Sequence, residues 1–376
     1  MKIALVHDYL TQRGGAERVF ELLCHYFPEA DIFTSLYDPQ RTIDLSDRVV
    51  NTTVLQKIPG AAKNFRLLAP FYYPAFRMLD LQEYDLILSS SSSFAKSVRK
   101  RPGAKHICFC HNVTRFVWDT DTYLKNYSQY KLIYPAIAKL LKSMVRVDRQ
   151  YAQEPDLYIA NSGVVSRRIQ KAYGRRALVA HYPIDSQKFK FSDRKEDFYL
   201  VTSRLLGYKR IDVTIRAFNE LGWPLIIIGN GPERKYLESI ASDNVQFLGY
   251  VSDTQRCLLM SKARAVVISA LEDYGLVPIE ANASGTPVIG YGAGGILETQ
   301  VPDQTGILFE EQTPASLKAA LLESRKRDWD FHAIRDRALG NFSESIFFQK
   351  VERIATHVST PSMVDLRHPE LAMVPN

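Results

Sequence analysis

The stretch Glu272-Asp-Tyr-Gly-Leu-Val-Pro-Ile-Glu280 follows an apolar run, Ala265 to Ser269, that reads as a buried strand, and it precedes a short helix. Two carboxylates therefore bracket a loop at the carboxyl end of a strand and the start of a helix, where open α/β sheets bind ligands. Gly275 lets backbone approach a ligand without a Cβ in the way. Pro278 suits the first helical position, where a missing N–H is no loss. The amides around Tyr274, Gly275, Leu276 and Val277 are then placed to hold an anion such as a pyrophosphate. Glu280 is expected in the first helical turn and Glu272 on the opposite lip. One can accept hydrogen bonds from ribose hydroxyls and the other from a second sugar, an arrangement that suits a sugar nucleotide. Either acid alone is ordinary near a helix start; the pair with glycine and proline between is more specific.

Other loops share that edge. After Phe198–Thr202 comes Ser203-Arg204-Leu-Leu-Gly-Tyr-Lys209, whose two cations can neutralise a diphosphate, Arg as a fork and Lys as a point charge. After Leu225–Ile228 comes Gly229-Asn-Gly231, which lacks the full dinucleotide fingerprint. Tyr250 and Val251 follow the next strand and are candidates to touch the base. Val288–Gly290 leads into Gly292-Ala-Gly294-Gly295. The first half has its own edge. Gly14-Gly15, with Glu17 behind, stands at a helix start and can cradle an anion. His111 and Arg115 follow His106–Cys110, and Asn161-Ser162 follow Leu157–Ala160.

These motifs need elements to hold them. Ten apolar runs read as strands, four of them (Lys2–His7, Asp85–Ser89, His106–Cys110, Leu157–Ala160) before residue 185 and the rest after, with helical stripes such as Val19, Leu22, Leu23, Tyr26 between. Strand–helix alternation implies parallel sheets with helices on both faces, an α/β class. The alternation resets near His181-Tyr-Pro-Ile-Asp185, so two domains are expected, 1–183 and 184–344. The tail beyond His357 reads as loosely ordered.

The 376 residues are 46% hydrophobic and 24% charged, ordinary for a globular chain. No run is long enough for a secretory leader or a membrane span. Four irregularly spaced cysteines suggest no disulfide framework and a reducing cytosol. The net charge of +7 is lopsided, since residues 91–180 hold 17 basic and 5 acidic side chains. Such a patch attracts anionic membranes, phosphorylated substrates or nucleic acid, but no nucleic-acid motif accompanies it. Segment 58–79, aromatic, cationic and proline-broken, and the amphipathic 139–149 each suit a bilayer surface or a core-packed face.

Gly14-Gly15-Ala-Glu17, His111, Asn161-Ser162, Ser203-Arg204…Lys209, Gly229-Asn-Gly231, Glu272…Glu280 with Gly275-Leu276, Ala293-Gly-Gly295 and Glu298 together resemble family 4 of the retaining glycosyltransferases. Leu5-Val-His-Asp-Tyr-Leu, His111 to Asp119, and His181 to Asp185 resemble its bacterial O-antigen and exopolysaccharide mannosyltransferases. Tyr274 replaces the usual Phe, and Pro-Ile replaces the usual Asn-Gly before Asp185. The resemblance implies a GT-B fold: two Rossmann-like domains facing a cleft, with the last helix crossing back so that about 345–376 pack on the N-terminal domain. It implies a donor, GDP- or UDP-linked and GDP-mannose by branch, held by Gly14, Gly15, Arg204, Lys209, Gly229, Gly231, Tyr250, Val251, Glu272, Tyr274, Gly275, Leu276, Val277 and Glu280. It places Glu17, His111, Arg115, Asn161 and Ser162 toward a saccharide or polyprenyl-diphosphate-linked acceptor. His111, Glu272, Arg204 and Lys209 are then the catalytic set. No metal or cofactor is called for, because amides and two cations balance the phosphates. Asp119-Thr-Asp121 resembles a metal motif of another glycosyltransferase fold and is discounted. The chain is expected in the cytoplasm, peripheral to the plasma membrane, with no nucleic-acid partner. A sugar-nucleotide epimerase or hydrolase of the same fold, a nucleic-acid binder using 91–180, and a nicotinamide-dependent oxidoreductase are the rivals.

Overall fold

The computed structural model describes residues 1–120 and 134–359. Asp121 and the tail from residue 360 lie outside them. The chain divides into two compact units, Met1–His181 with the stretch from Gln349, and Tyr182–Phe348.

Unit 1 is built on seven parallel strands: β1 (Ile3–His7), β2 (Asp31–Thr34), β3 (Val50–Thr52), β4 (Leu86–Ser91), β5 (Lys105–Cys110), β6 (Leu157–Ala160) and β7 (Ala177–Val179). Their order is β3-β2-β1-β4-β5-β6-β7. Central strands of a parallel sheet are covered on both faces and so read as continuous apolar runs; β4 is buried along its whole length. The helices are α1 (Gly15–Tyr26), α2 (Tyr72–Arg77), α3 (Arg115–Trp118), α4 (Tyr134–Tyr151) and α5 (Gly163–Tyr173). Ser162 caps α5 by accepting from the Val165 amide, and Gly174 ends it in the left-handed region at φ 70°.

Helix α4 contains the amphipathic 139–149 segment. Its apolar stripe, Ala138, Leu141 and Met144, is packed into the unit 1 core with Tyr73, Phe76 and Phe94. Segment 58–79 is divided: Phe65, Tyr72, Tyr73 and Phe76 join that core, while Ile58, Leu67, Phe71 and Met78 are exposed. Beneath α4 lies a buried ion pair, Lys96 Nζ to Asp148 Oδ1 at 2.6 Å, with side chains 2% and 0% exposed. Asp148 also accepts from Thr114 Oγ1 at 2.9 Å, Trp118 Nε1 at 2.5 Å and the Tyr73 hydroxyl. The network pins α4 to the loop that follows β5. Other cations of the basic 91–180 stretch are also engaged internally. Arg101 pairs with Asp85, and Arg175 donates to the carbonyls of Gln153, Pro155 and Asp156.

Unit 2 has β8 (Tyr199–Thr202), β9 (Leu225–Ile228), β10 (Val245–Gly249), β11 (Ala265–Ile268), β12 (Val288–Tyr291) and β13 (Gly306–Phe309), in the order β10-β9-β8-β11-β12-β13. Its helices are α6 (Ile211–Leu221), α7 (Arg234–Ser239), α8 (Asp253–Lys262), α9 (Leu276–Ala283), α10 (Pro314–Lys326) and α11 (Phe331–Phe342). The last helix, α12 (Glu344–Ser359), begins in unit 2, and from Gln349 it groups with unit 1, where Glu352 accepts from the Tyr26 hydroxyl. Each sheet is wound outward from its first strand in both directions. Each therefore has one topological switch point, between β1 and β4 in unit 1 and between β8 and β11 in unit 2. Among the described residues, no helix is long and apolar enough to cross a membrane.

Burial and nearby Lys100 push the His106 imidazole, on β5, down to about 3 from its ordinary 6.5. The unfolded ring takes up a proton below 6.5 while the folded ring does so only near 3, so a falling pH favours the unfolded chain across that window. The expected slope from this ring is about 1.4 kcal/mol per pH unit. Urea midpoints measured as a pH series should show it, and His106→Leu should remove that share; an unchanged slope would assign the acid lability elsewhere.

Candidate active site

The loops at the unit 2 switch point form one packed assembly. The Ser203 amide donates to the Ile228 carbonyl and the Leu205 amide to Asn230, both at 3.0 Å. The Gly229 amide donates to the Gly249 carbonyl at 2.8 Å. A Cβ on Gly229 would lie 1.9 Å from the Ser203 carbonyl oxygen, and one on Gly231 would lie 2.3 Å from that of Leu205. These glycines thus let two loops lie against each other. The same holds for the β12 loop: the Gly295 amide donates to the Glu272 carbonyl at 2.7 Å, and a Cβ on Gly294 would be 2.4 Å from that oxygen.

Across the switch point, Lys209 Nζ lies 2.7 Å from Glu272 Oε1, with side chains 16% and 19% exposed. Lys209 closes a 3-10 turn, Gly207–Lys209, and the next residue, Arg210, sits in the left-handed region at φ 49°. That conformation costs a non-glycine residue about 1–2 kcal/mol. Arg210 also reaches Asp212, Nε to Oδ1 at 3.2 Å. Arg204 is exposed and donates from Nη2 to the Tyr208 hydroxyl at 3.3 Å, while Lys209 Nζ stands 5.3 Å from the Tyr208 ring centroid. Arg204, Tyr208, Lys209 and Glu272 thus form one connected polar group.

Gly275 precedes α9 at φ 87°, which only glycine adopts readily. A Cβ there would meet nothing closer than 3.4 Å, so this glycine is required by its dihedral rather than by crowding. The helix starts at Leu276, which corrects two details of the sequence expectation. Pro278 is the third helical residue, not the first, still among positions whose N–H has no intrahelical acceptor. Glu280 is the fifth and lies just past the first turn. Its carboxylate is only 3% exposed and is held by Arg256 Nη1 of α8, 2.7 Å from Oε2. Sequence reading missed Arg256. Tyr274 is buried, and its hydroxyl donates to the Tyr182 carbonyl at 2.6 Å. The Tyr-for-Phe departure is thus bonded to the residue just before the altered Pro183-Ile184 pair. Tyr250 is 84% exposed just after β10 with half-buried Val251 beside it.

In unit 1, His111 follows β5, and its Nε2 lies 2.7 Å from Ser90 Oγ. Asn161 Nδ2 donates to the His111 carbonyl at 3.3 Å, and Ser162 Oγ to Asn161 Oδ1 at 3.2 Å. Asn161 and Ser162 are both buried, so they shape the loop around His111 from within. Glu17 is 2% exposed and turned inward: Oε2 accepts from the Gly14 amide at 2.8 Å and Oε1 from Gln12 Nε2 at 3.2 Å. Gly15 opens α1 behind it, and Arg115 opens α3. Burial and neighbouring His7 push the His111 imidazole down to about 3, so the ring is neutral near pH 7. The Asp8 carboxylate crosses from the end of β1 to accept from Ser91 Oγ and from the amides of Ser92, Phe94 and Ala95 at 2.6–3.1 Å.

Residues 13–188 match the model of Glycosyltransferase Family 4, and residues 184–332 match that of Glycosyl transferases group 1. The chain thus pairs a Glycosyltransferase Family 4 domain with a Glycosyl transferases group 1 domain, and its fold is GT-B. An uncharacterized glycosyltransferase of Methanocaldococcus jannaschii is 32% identical over 162 residues, 40% of either chain. A GDP-mannose-dependent monoacylated alpha-(1-6)-phosphatidylinositol monomannoside mannosyltransferase of Corynebacterium glutamicum is 28% identical over 46% of this chain and 54% of its own length. The chain thus matches about half the length of these curated relatives or less. Among solved structures, Anabaena HepE in complex with UDP and glucose superposes with a TM-score of 0.66 at 18% identity, covering 95% of this chain and 100% of that one. At that identity the likeness speaks for the fold.

Proposed function

We propose that the chain transfers a hexosyl group from a nucleotide sugar to a saccharide or polyprenyl-diphosphate-linked saccharide, with retention at the anomeric carbon. Mannose from GDP-mannose is the first choice, supported by the corynebacterial relative; the UDP and glucose bound to HepE keep a uracil donor as the comparison to test. The observation that carries the reading is the Lys209–Glu272 pair at the β8/β11 switch point. It sets a cation for a diphosphate beside a carboxylate for sugar hydroxyls.

As the anomeric C–O bond breaks, the diphosphate leaves with its charge and the sugar becomes oxocarbenium-like. Lys209, Arg204 and the amides after Gly275 stabilise the developing negative charge, and such preorganised electrostatics are commonly the largest catalytic term. Glu272 holds the sugar hydroxyls and Glu280 the ribose. His111, neutral, meets the acceptor hydroxyl. On this reading Lys209, Arg204 and the amides hold the diphosphate without a metal, so EDTA should leave turnover unchanged.

Glu280→Gln should weaken nucleotide binding about ten- to a hundredfold, the worth of a hydrogen bond to a charged group. Calorimetric titration with GDP and UDP tests this, and wild-type affinity would remove Glu280 from the ribose. Transfer itself is tested by following GDP-mannose with and without a lipid-linked saccharide. Acceptor-dependent loss of donor supports a transferase; equal loss without acceptor would make the chain a hydrolase or epimerase.

Peripheral membrane contact at the cytoplasmic face belongs to the same reading. Exposed Ile58, Leu67 and Phe71 stand among exposed Lys57, Lys63 and Arg66, a composition that suits an anionic interface. Co-sedimentation with phosphatidylglycerol vesicles should be lost in Leu67→Asp/Phe71→Asp. Absence of wild-type binding at low salt would end this part of the proposal.

A further inference from the structure

Unit 1 holds a line of buried polar groups beside His111. His7, the last residue of β1, lies opposite Ser90 of β4 in the parallel register. Ser90 Oγ is 3.0 Å from His7 Nδ1 and 2.7 Å from His111 Nε2. On its far side, His7 Nε2 is 3.9 Å from Glu17 Oε1. His7, Ser90 and Glu17 are each 2% exposed or less, and Phe20 stacks on His7 at 4.7 Å between centroids. Polar groups so enclosed are kept only where they are satisfied.

A serine hydroxyl has one proton, so between two rings Ser90 must donate to one and accept from the other. The direction is set at the Glu17 end. A carboxylate facing Nε2 favours a proton there, which makes Nδ1 of a neutral His7 the acceptor. Ser90 then donates to His7 and accepts from Nε2–H of His111.

We propose that Glu17, His7 and Ser90 are positioning residues that fix His111 in the Nε2–H tautomer, making its Nδ1 the hydrogen-bond acceptor for the sugar acceptor's hydroxyl. The proposal rests on the assignment of His111 to the acceptor. It also gives Glu17 a task suited to its inward place.

The test is the ring tautomer, read by long-range 1H–15N correlation on the full chain labelled with 15N-histidine, with His111 assigned by loss of its signal in His111→Gln. The wild type should show Nε2–H at neutral pH. Ser90→Ala and His7→Phe should each raise the Nδ1–H population of His111. They should lower kcat about tenfold, the worth of one hydrogen bond, with nucleotide affinity within about twofold. Glu17→Gln should shift the tautomer in the same direction. An unchanged His111 tautomer in both Ser90→Ala and His7→Phe would overturn the relay. A shifted tautomer alongside wild-type turnover in His111→Ala would uphold the relay and remove His111 from the reaction.

Discussion

Lys209→Ala lowers kcat by about ten- to a hundredfold while the fold stays intact. The figure follows from losing one charge-assisted hydrogen bond, about 1.5–3 kcal/mol, at the leaving diphosphate. The structure adds a second consequence. Lys209 is paired with Glu272 at 2.7 Å, so the variant also leaves a partly buried carboxylate without its cation. Glu272 then repels the diphosphate it was meant to sit beside. Lys209→Arg restores the charge but puts a planar fork where a point charge fits, and it should recover activity only in part. Steady-state kinetics with circular dichroism as a fold check decide the matter. Wild-type turnover in Lys209→Ala would remove the residue from the diphosphate.

The largest stability effect is expected far from any substrate. Lys96→Met destabilises unit 1 by about 3–5 kcal/mol, because Asp148 is left charged and buried without its partner. Asp148 is fully enclosed and receives bonds from Thr114, Trp118 and Tyr73 besides the lysine. Adding Asp148→Asn removes the stranded charge and keeps one acceptor oxygen for Thr114 and Tyr73, though not a second for Trp118, so the double variant should recover part of the loss. Urea unfolding followed by Trp118 fluorescence, with Trp223 and Trp329 replaced by Phe, isolates unit 1. A loss below about 1 kcal/mol in Lys96→Met would mean that water or relaxation already screens the pair.

Most of the architecture was legible because central parallel strands must be apolar on both faces. Ile3–His7, Leu157–Ala160 and Leu225–Ile228 announce themselves as runs. The strands that escaped, Asp31–Thr34, Val50–Thr52 and Ala177–Val179, are short. Val50–Thr52 and Ala177–Val179 are also the edges of their sheet, where neither length nor an apolar run is required. Segment 139–149 carried an amphipathic signal that cannot say what covers the apolar face; here the core of unit 1 does.

The site was legible where chemistry and loop position coincide. Lys209 and Glu272 were both expected at one sheet edge, and the structure places them in contact. Arg256 was not expected, because three residues after Asp253 on a polar helix it reads as a surface pair, and its partner Glu280 lies on another helix. That Gly229, Gly231 and Gly294 also let the loops pack against one another was not legible, because it needs the facing carbonyl in view. The signal for the His7–Ser90–His111 line was present as five consecutive serines, Ser89 to Ser93, at the end of a strand. Only the register between β1 and β4 shows which of them meets His7.

Affinity for the donor is the most direct measure of the central claim. In a thermal-shift series, GDP-mannose, or failing it a UDP-hexose, should raise the midpoint of the wild-type chain by several degrees, as ligand linkage requires. NAD and duplex DNA should not, and the Lys209→Ala and Glu280→Gln variants should each blunt the rise. A chain stabilised by no sugar nucleotide, with Lys209, Glu272 and Glu280 all in place, would contradict the account.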